Sequence, residues 1–269
     1  MEMINLAQAR RFIELHGSPQ ERARLAWLLQ RMPPSQAVIS ELAGLQKVGG
    51  GFAPARSPEA PASVDASLTA LWQLDELGLL GSSMAQQALA YLERVQRADG
   101  GWDEEPLPAP FSFPPWIEPG SIATRTYLSS YAAYWLGLAK SADAIVFRRA
   151  LSYLLAIQEP DGRLPGYLHG CWLGAAALWL GGERDTARLM LDYLHGRLAD
   201  DWQTSQLAWA LDCLLRAGVS SQEPFCSQAL EMLITRQQPD GSFASEDGDA
   251  FAVSATIQAL KACQAAGWL

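Results

Sequence analysis

The chain has 269 residues, with 20 Lys plus Arg against 29 Asp plus Glu, a net charge of −9. That balance excludes a nucleic-acid binder, which needs a basic face to displace counterions, and docking on an anionic membrane through a polybasic patch. At 49% apolar and 18% charged residues the chain is core-forming rather than disordered, and its length suits one large domain or two small ones.

The first segment, 1–16, mixes Glu2, Asn5, Arg10, Arg11 and Glu14 with apolar residues. It reads as an amphipathic helix rather than a signal peptide. No stretch approaches the roughly 18 apolar residues of a membrane span. Cys171, Cys213, Cys226 and Cys263 show no CxxC spacing and are too few for a disulfide scaffold, so a reducing, cytoplasmic setting is expected.

Further along, one unit recurs. Residues 88–102 read as a helix, then Gln96, Asp99, Gly100 and Trp102. The pattern returns over 150–164 with Gln158, Asp161, Gly162 and Leu164, and over 229–243 with Gln237, Asp240, Gly241 and Phe243. A weaker copy carries Leu42, Leu45, Gln46, Gly49 and Phe52, and a degenerate one spans 187–202. Each is a helix, a Gln and a Gly-closed turn whose aromatic or Leu can fold back onto the helix. After each turn a second helix rich in Ala and Leu is expected, over 64–77, 121–138, 169–180, 201–215 and 249–263. With 18–31 as the first of this set, the chain has about twelve helices in about six pairs. The second helices carry few charges beyond their first turns and are expected inside, and the wetter first helices outside. An open solenoid needs polar capping repeats, and neither terminal pair is polar, so the ring is expected to close. The fold class is therefore all-α, a single (α/α)6 toroid over 1–269 with a Pro-rich insertion at 103–120.

The Gln-x-x-Asp-Gly-Gly-Trp run resembles the QW repeat of terpene cyclases and the related repeats of protein prenyltransferase β-subunits, and this resemblance covers nearly the whole chain. Related toroids also serve as complement-type thioester domains and lanthipeptide cyclases, so the fold leaves function open.

Inner helices of such a ring start at one rim, where acids recur: Asp65, Asp200, Asp201, Glu246, Asp247 and Asp249. Asp at a helix start also serves simply as a cap. The run Asp247-Gly-Asp249-Ala250-Phe251 resembles the Asp-x-Asp-Asp-Thr run of class II terpene cyclases, in which the middle Asp protonates an alkene. The resemblance implies Asp249 as acid and Asp247 as its partner, with Ala250 where the family has a third Asp. Asp65 is a further acid in a similar local setting.

A second run, Arg163 through His169-Gly170-Cys171-Trp172, resembles the protein farnesyltransferase β-subunit segment that supplies a diphosphate contact and two zinc ligands. It implies Arg163 as the anion contact and His169 with Cys171 as zinc ligands. Ala252 stands where that family has its third ligand, so zinc would need Asp249 or another acid. Read alone, Cys171 is a small buried residue and His169 a cap or surface group.

Aromatics are the third signal. Trp72, Tyr127, Tyr131, Tyr134, Trp172, Trp209 and Phe251 lie on inner helices, where they either pack the core or line a cation-stabilising cavity. Arg125, near the start of its helix, could meet an anion or a rim acid. The loop at 103–120 carries Phe111, Phe113 and Trp116, which suit a lid, a partner contact or peripheral membrane contact. Three readings stand. The first is an isoprenoid-processing, terpene cyclase-like enzyme (isomerase or lyase) that needs no cofactor and uses proton-initiated cyclisation, with Trp72, Tyr127, Tyr131, Trp172, Phe251 and Trp116 around a hydrophobic prenyl substrate. The second is a zinc-dependent prenyl or other group transferase. The third is a non-catalytic toroid binding a hydrophobic ligand or partner protein. A homo-oligomer or a second toroid domain would complete a site that one ring left open.

Overall fold

The computed structural model describes residues 4–139, 144–245 and 248–269. The described helices are α1 (Leu6–His16), α2 (Pro19–Gln30), α3 (Gln36–Ala43), α4 (Val64–Glu76), α5 (Ser83–Val95), α6 (Ile122–Ala139), α7 (Ala144–Ile157), α8 (Leu168–Gly181), α9 (Arg184–Gly196), α10 (Thr204–Arg216), α11 (Pro224–Ile234) and α12 (Ala252–Ala265). A single 3₁₀ turn, Asp249–Phe251, leads into α12.

Even-numbered helices form an inner ring in the order α2, α4, α6, α8, α10, α12, and α12 packs back on both α1 and α2. The ring is closed. Burial follows the composition. From Gly170 to Trp179, α8 is buried all round, and α6 is buried continuously from Leu128 to Leu136. Their close approach uses small residues: a Cβ on Gly170 would lie 3.2 Å from the Thr126 methyl of α6. The four cysteines are free thiols, all buried. Among the described residues no helix is long and apolar enough to cross a membrane.

The repeated glutamines explain the closure. A primary amide nitrogen has two donor hydrogens. Gln46 Nε2 donates to the carbonyl of Gly50 in its own turn (2.9 Å) and to that of Met84 at the start of α5 (3.0 Å). Gln96 does the same to Gly100 (2.9 Å) and Val146 of α7 (3.0 Å), and Gln158 to Gly162 (3.1 Å) and Thr186 of α9 (3.5 Å). Gln237 reaches Gly241 (3.1 Å) and then Asn5, the cap of α1, at 3.2 Å, and its Oε1 accepts from the Asn5 amide at 2.7 Å. The last turn is thus clamped to the first helix by the device that joins neighbours elsewhere. Gly100 (φ 92°) and Gly241 (φ 90°) sit so close to the next outer helix that a Cβ would come within 2.3 Å of the backbone of Arg149 or Gln8.

A second series of bonds fixes each turn to its inner helix. The amides of Phe52, Trp102 and Phe243 donate to the hydroxyls of Ser67 (2.9 Å), Ser129 (2.8 Å) and Thr256 (2.9 Å). At the third turn in chain order the Leu164 amide donates to Cys171 Sγ at 3.3 Å. The degenerate unit has Gly196 where the Gln belongs. It keeps its tryptophan, but the Nε1 donates to Arg197 O in its own turn (2.8 Å), whereas that of Trp102 donates to Leu92 O in the helix before (2.8 Å). Its link to α11 passes instead to Arg236, which donates to Trp202 O at 2.5 Å, and to His195, whose ring lies 3.0 Å from Gln228 Oε1.

Replacing Gln237 by Ala removes three hydrogen bonds, each contributing about 1 kcal/mol net. Chemical denaturation should show a loss of about 2–3 kcal/mol, with faster amide exchange in α1. An unchanged unfolding midpoint would mean that α1 is held by its apolar face alone.

Candidate active site

Because all inner helices run the same way, their N-termini share one rim. At α4, Ser63 caps the helix and Asp65 lies in its first turn. The next acid comes from the long loop after α5. Glu104 is 3% exposed, and its carboxylate accepts from the amides of Val64 (3.1 Å) and Asp65 (2.7 Å). Two carboxyls are thereby fixed at one helix end. Burial pushes Asp65 up to about 6. Burial also raises Glu104, to about 7, with Asp65 adding to the rise against the pull of the two amides.

Asp65 lines a cleft of about 480 Å³. Its walls are Thr69 and Gln73 from α4, Phe52 and Pro54 from one Pro-rich loop, and Phe113, Pro114, Pro115 and Trp116 from the other. Glu104 lines a separate cleft of about 210 Å³ with Tyr91, Gln96 and Arg97. The loop is held at both ends. Asp103 accepts from the Gly120 amide at 3.1 Å, and Tyr167 donates to the Trp116 carbonyl at 2.8 Å. Trp116 is 54% exposed and stands at the rim of the cleft.

Aromatics fill the ring beside Asp65. Tyr127 and Tyr131 lie one above the other on α6, ring centroids 5.9 Å apart. Tyr131 meets Trp209 of α10 at 5.6 Å, over the inner face of α8. Burial raises both phenols, and the Asp65 carboxylate adds to the rise, which ties Asp65 to this cluster electrostatically. His169 packs between Trp172 (4.6 Å) and Trp209 (5.4 Å), with the edge of Tyr127 at 6.3 Å. Burial holds its imidazole down to about 4, so it is neutral near pH 7.

The opposite end of the ring is filled by ions. Lys261 of α12 lies 3.0 Å from Asp75 and 2.9 Å from Asp212, and Arg216 forks onto Asp75 at 2.5 and 2.6 Å. Arg24 of α2 lies 2.6 Å from Glu76. Burial alone would raise Asp75, but Lys261 and Arg216 outweigh it and lower it. Three cations and three carboxylates balance, and this network borders a cleft of about 420 Å³ on that side.

The residues singled out from sequence separate into groups. Asp65, Tyr127, Tyr131 and His169 come together, and Trp72 stays on the same inner surface, where Arg24 lies 4.9 Å over its ring. Trp172 is fully buried against Trp202 and Trp209, so it backs the aromatic wall instead of lining it. Asp249 and Phe251 are exposed at the rim, away from a dry setting. Asp247 lies outside the described residues. Arg125 is committed to Asp99 and to Asp103 (3.7 Å) and stacks 5.6 Å from the Tyr153 ring, so it anchors the loop root rather than a ligand. Arg163 is exposed and pairs with Asp161 at 3.4 Å.

The zinc pairing is corrected by helix geometry. Residues two apart point some 200° apart around a helix. Cys171 turns to the Leu164 backbone, as Ser67, Ser129 and Thr256 turn to theirs, while His169 turns into the aromatics. Among the described residues no three His, Cys, Asp or Glu side chains gather as a metal site. Glu104 is the site residue that sequence reasoning missed. Its signal was two consecutive acids after Asp103 in an otherwise apolar loop.

No family model matches the chain. Over 195 residues, 69% of the chain, it is 27% identical to lanosterol synthase erg7A of Aspergillus fumigatus. That match spans 21% of the synthase, so the chain covers about a fifth of this curated relative. Among solved structures it is similar to type II terpene cyclase MstE from Scytonema, as an Arg-to-Ala variant in complex with its substrate geranylgeranyl dihydroxybenzoate. The TM-score is 0.62 at 18% identity, covering 93% of this chain and 87% of that one. The apo form of MstE gives 0.60 at 19%, covering 93% and 89%. A protein from Actinoplanes gives 0.62 at 18%, covering 93% and 90%. The fold is the α/α toroid that type II terpene cyclases have.

The raised Asp65 has a cost. Its unfolded value is near 3.8 and its folded value about 6, so the native state is penalised once the pH exceeds both. Asp65→Asn should therefore stabilise the protein by about 1–3 kcal/mol at pH 7–8. The gain should shrink as pH falls from 6 to 4 and vanish below. Thermal unfolding of the two proteins across that range checks this, and a variant less stable than wild type at pH 7 would contradict it.

Proposed function

We propose that the chain is a type II terpene cyclase-like enzyme that cyclises a linear prenyl substrate by protonating one of its double bonds from Asp65. The observation that carries this reading is the placement of Asp65: a carboxyl held up to about 6 in a mostly apolar cleft, beside an aromatic cluster. Protonation of a carbon–carbon double bond needs an acid that keeps its proton in a site without competing water. The two Pro-rich loops wall that site. The faces of Tyr127 and Trp209 offer a developing carbocation the negative side of their quadrupoles, and the cation needs no anionic partner there. Glu104 holds the first turn of α4 through the amides of Val64 and Asp65, which fixes the direction of the acid.

The neighbours support this. MstE covers nearly the same length as this chain, and its solved forms include Asp-to-Asn and Asp-to-Ala variants with substrate and with product. The product is an isomer of the substrate, so no metal, cofactor or second substrate enters the balance.

Incubation with geranylgeraniol, squalene or geranylgeranyl dihydroxybenzoate should give a cyclic product of unchanged mass from at least one of them. Asp65→Asn should lower turnover by about 10²–10⁴-fold while ligand binding persists. Turnover should fall as pH rises through about 6, because only protonated Asp65 initiates. Full activity in Asp65→Asn together with its loss in Asp249→Asn would move the acid to the exposed rim and overturn this assignment.

A further inference from the structure

The chain has a net charge of −9, so a negatively charged ligand meets a repulsive field unless a cation waits at its site. Nearly every cation is already committed. Many are held in ion pairs, as Arg24 is with Glu76 and Lys261 with Asp212. Others spend their hydrogens on backbone carbonyls, as Arg94 does at Gly49 and Arg149 at Arg97. Among the described residues, the cations left with no hydrogen bond, ion pair or ring contact are Arg11, exposed on outer helix α1, and Arg56. Arg56 lines the same cleft as Asp65. Its loop is pinned by turns. The Ser57 amide donates to Pro54 O (2.9 Å), the Ala60 amide to Ser57 O (2.9 Å), and Lys47 Nζ to Pro58 O (2.5 Å). The guanidinium is therefore presented from a fixed turn. Ser57 and Ser112 add hydroxyls to the wall, beside Phe113 and Trp116. Glu59, three residues on, does not line the cleft. Asp65 is the one carboxyl that does among the described residues, and it lies on α4, not on the loop.

Resting on the cyclase reading, we infer that Arg56 determines specificity as the head-group contact of an anionic substrate, a prenyl chain that carries a carboxylate or a phosphate ester. A guanidinium forks onto two oxygens of either group. The anion stays at the loop, and the prenyl chain lies along the apolar wall of Phe52, Phe113 and Pro114 toward Asp65. A neutral prenyl alcohol or hydrocarbon gives the guanidinium nothing to hold. The head group takes no part in the reaction, and no bond to it breaks. Its contact is the same before and during protonation of the chain, so it acts on KM rather than on kcat. Arg56 is exposed, and added salt screens its charge. The preference for an anion therefore weakens as ionic strength rises.

The test measures kcat and KM for wild type, Arg56→Gln, Arg56→Lys and, as a control away from the cleft, Arg11→Gln. The probes share one chain: geranylgeranyl dihydroxybenzoate, geranylgeranyl diphosphate and the neutral geranylgeraniol. The readout is the ratio of kcat/KM for each anionic probe to that for geranylgeraniol. Wild type should favour at least one anion by about tenfold or more, and the favoured one tells carboxylate from phosphate. Arg56→Gln should remove the preference through KM, Arg56→Lys should keep part of it, and Arg11→Gln should keep it all. No preference in wild type, or a full preference in Arg56→Gln, overturns the inference and leaves the cyclase reading in place. Equal losses in Arg56→Gln and Arg11→Gln would reduce the effect to net charge and overturn it too. Calorimetric dissociation constants of the same probes with Asp65→Asn read the contact without turnover. A preference seen there and lost on adding Arg56→Gln upholds the head-group site even if wild type forms no cyclic product, a result that overturns the cyclase reading alone.

Discussion

A side-chain amide with two donor hydrogens holds this molecule in its shape. Each repeated Gln gives one hydrogen to its own turn and the other to the next outer helix. A Glu in that place would have no donor, and a shorter Asn would not span both carbonyls. Because Gln237 reaches back to Asn5, the same bond that spaces the repeats also ends them. Closure is then a property of the repeat and not of a special terminal contact. The apolar inner faces of α6 and α8 supply the bulk of the burial, but they set no direction. The amide clamps and the turn-to-hydroxyl bonds set register.

Closure orients six inner helices alike, and the two ends of the ring become chemically different. The N-terminal rim receives acids and the apolar loops. The C-terminal end receives Asp75, Glu76, Asp212, Arg24, Arg216 and Lys261, whose charges cancel within a few ångströms. A helix N-terminus stabilises a carboxylate by about 0.3–1 kcal/mol. Raising Asp65 from 3.8 to about 6 corresponds to roughly 3 kcal/mol in the other direction. Burial under the loops therefore wins over the helix dipole at Asp65. Asp249 lies in the 3₁₀ turn ahead of α12 rather than inside its helix, and is exposed.

Local pattern carried most of the fold. The recurrence of Gln, Gly and an aromatic at constant spacing marked the outer helices and their turns, and all-round apolar helices such as α8 marked the inner ring. The degenerate unit was legible too, since Trp202 stands where the other turns have Trp102 or Phe243, although its Nε1 bonds a different carbonyl. The site was legible only in part. Tyr127 and Tyr131 share a face because residues four apart do. By the same rule His169 and Cys171 diverge, and helical angle alone argues against joining them in a zinc site. The ranking of the rim acids could not be read locally. It depends on a loop from residues 103–120 folding over a helix that starts some forty positions earlier, and motif likeness pointed to Asp249 instead. Glu104 was hidden for the same reason: its partners are the amides of α4, distant in sequence.

The account turns on one carboxyl held above its usual range in a cleft walled by two Pro-rich loops. Its most direct test is a ¹³C nuclear magnetic resonance titration of the Asp65 side-chain carbon in the folded wild-type protein, assigned by comparison with Asp65→Asn. The predicted midpoint is about 6, with the adjoining Glu104 raised to about 7. A midpoint at or below 4 would mean that water reaches Asp65 freely, and the carboxyl would then be a helix cap rather than the acid of a cyclase.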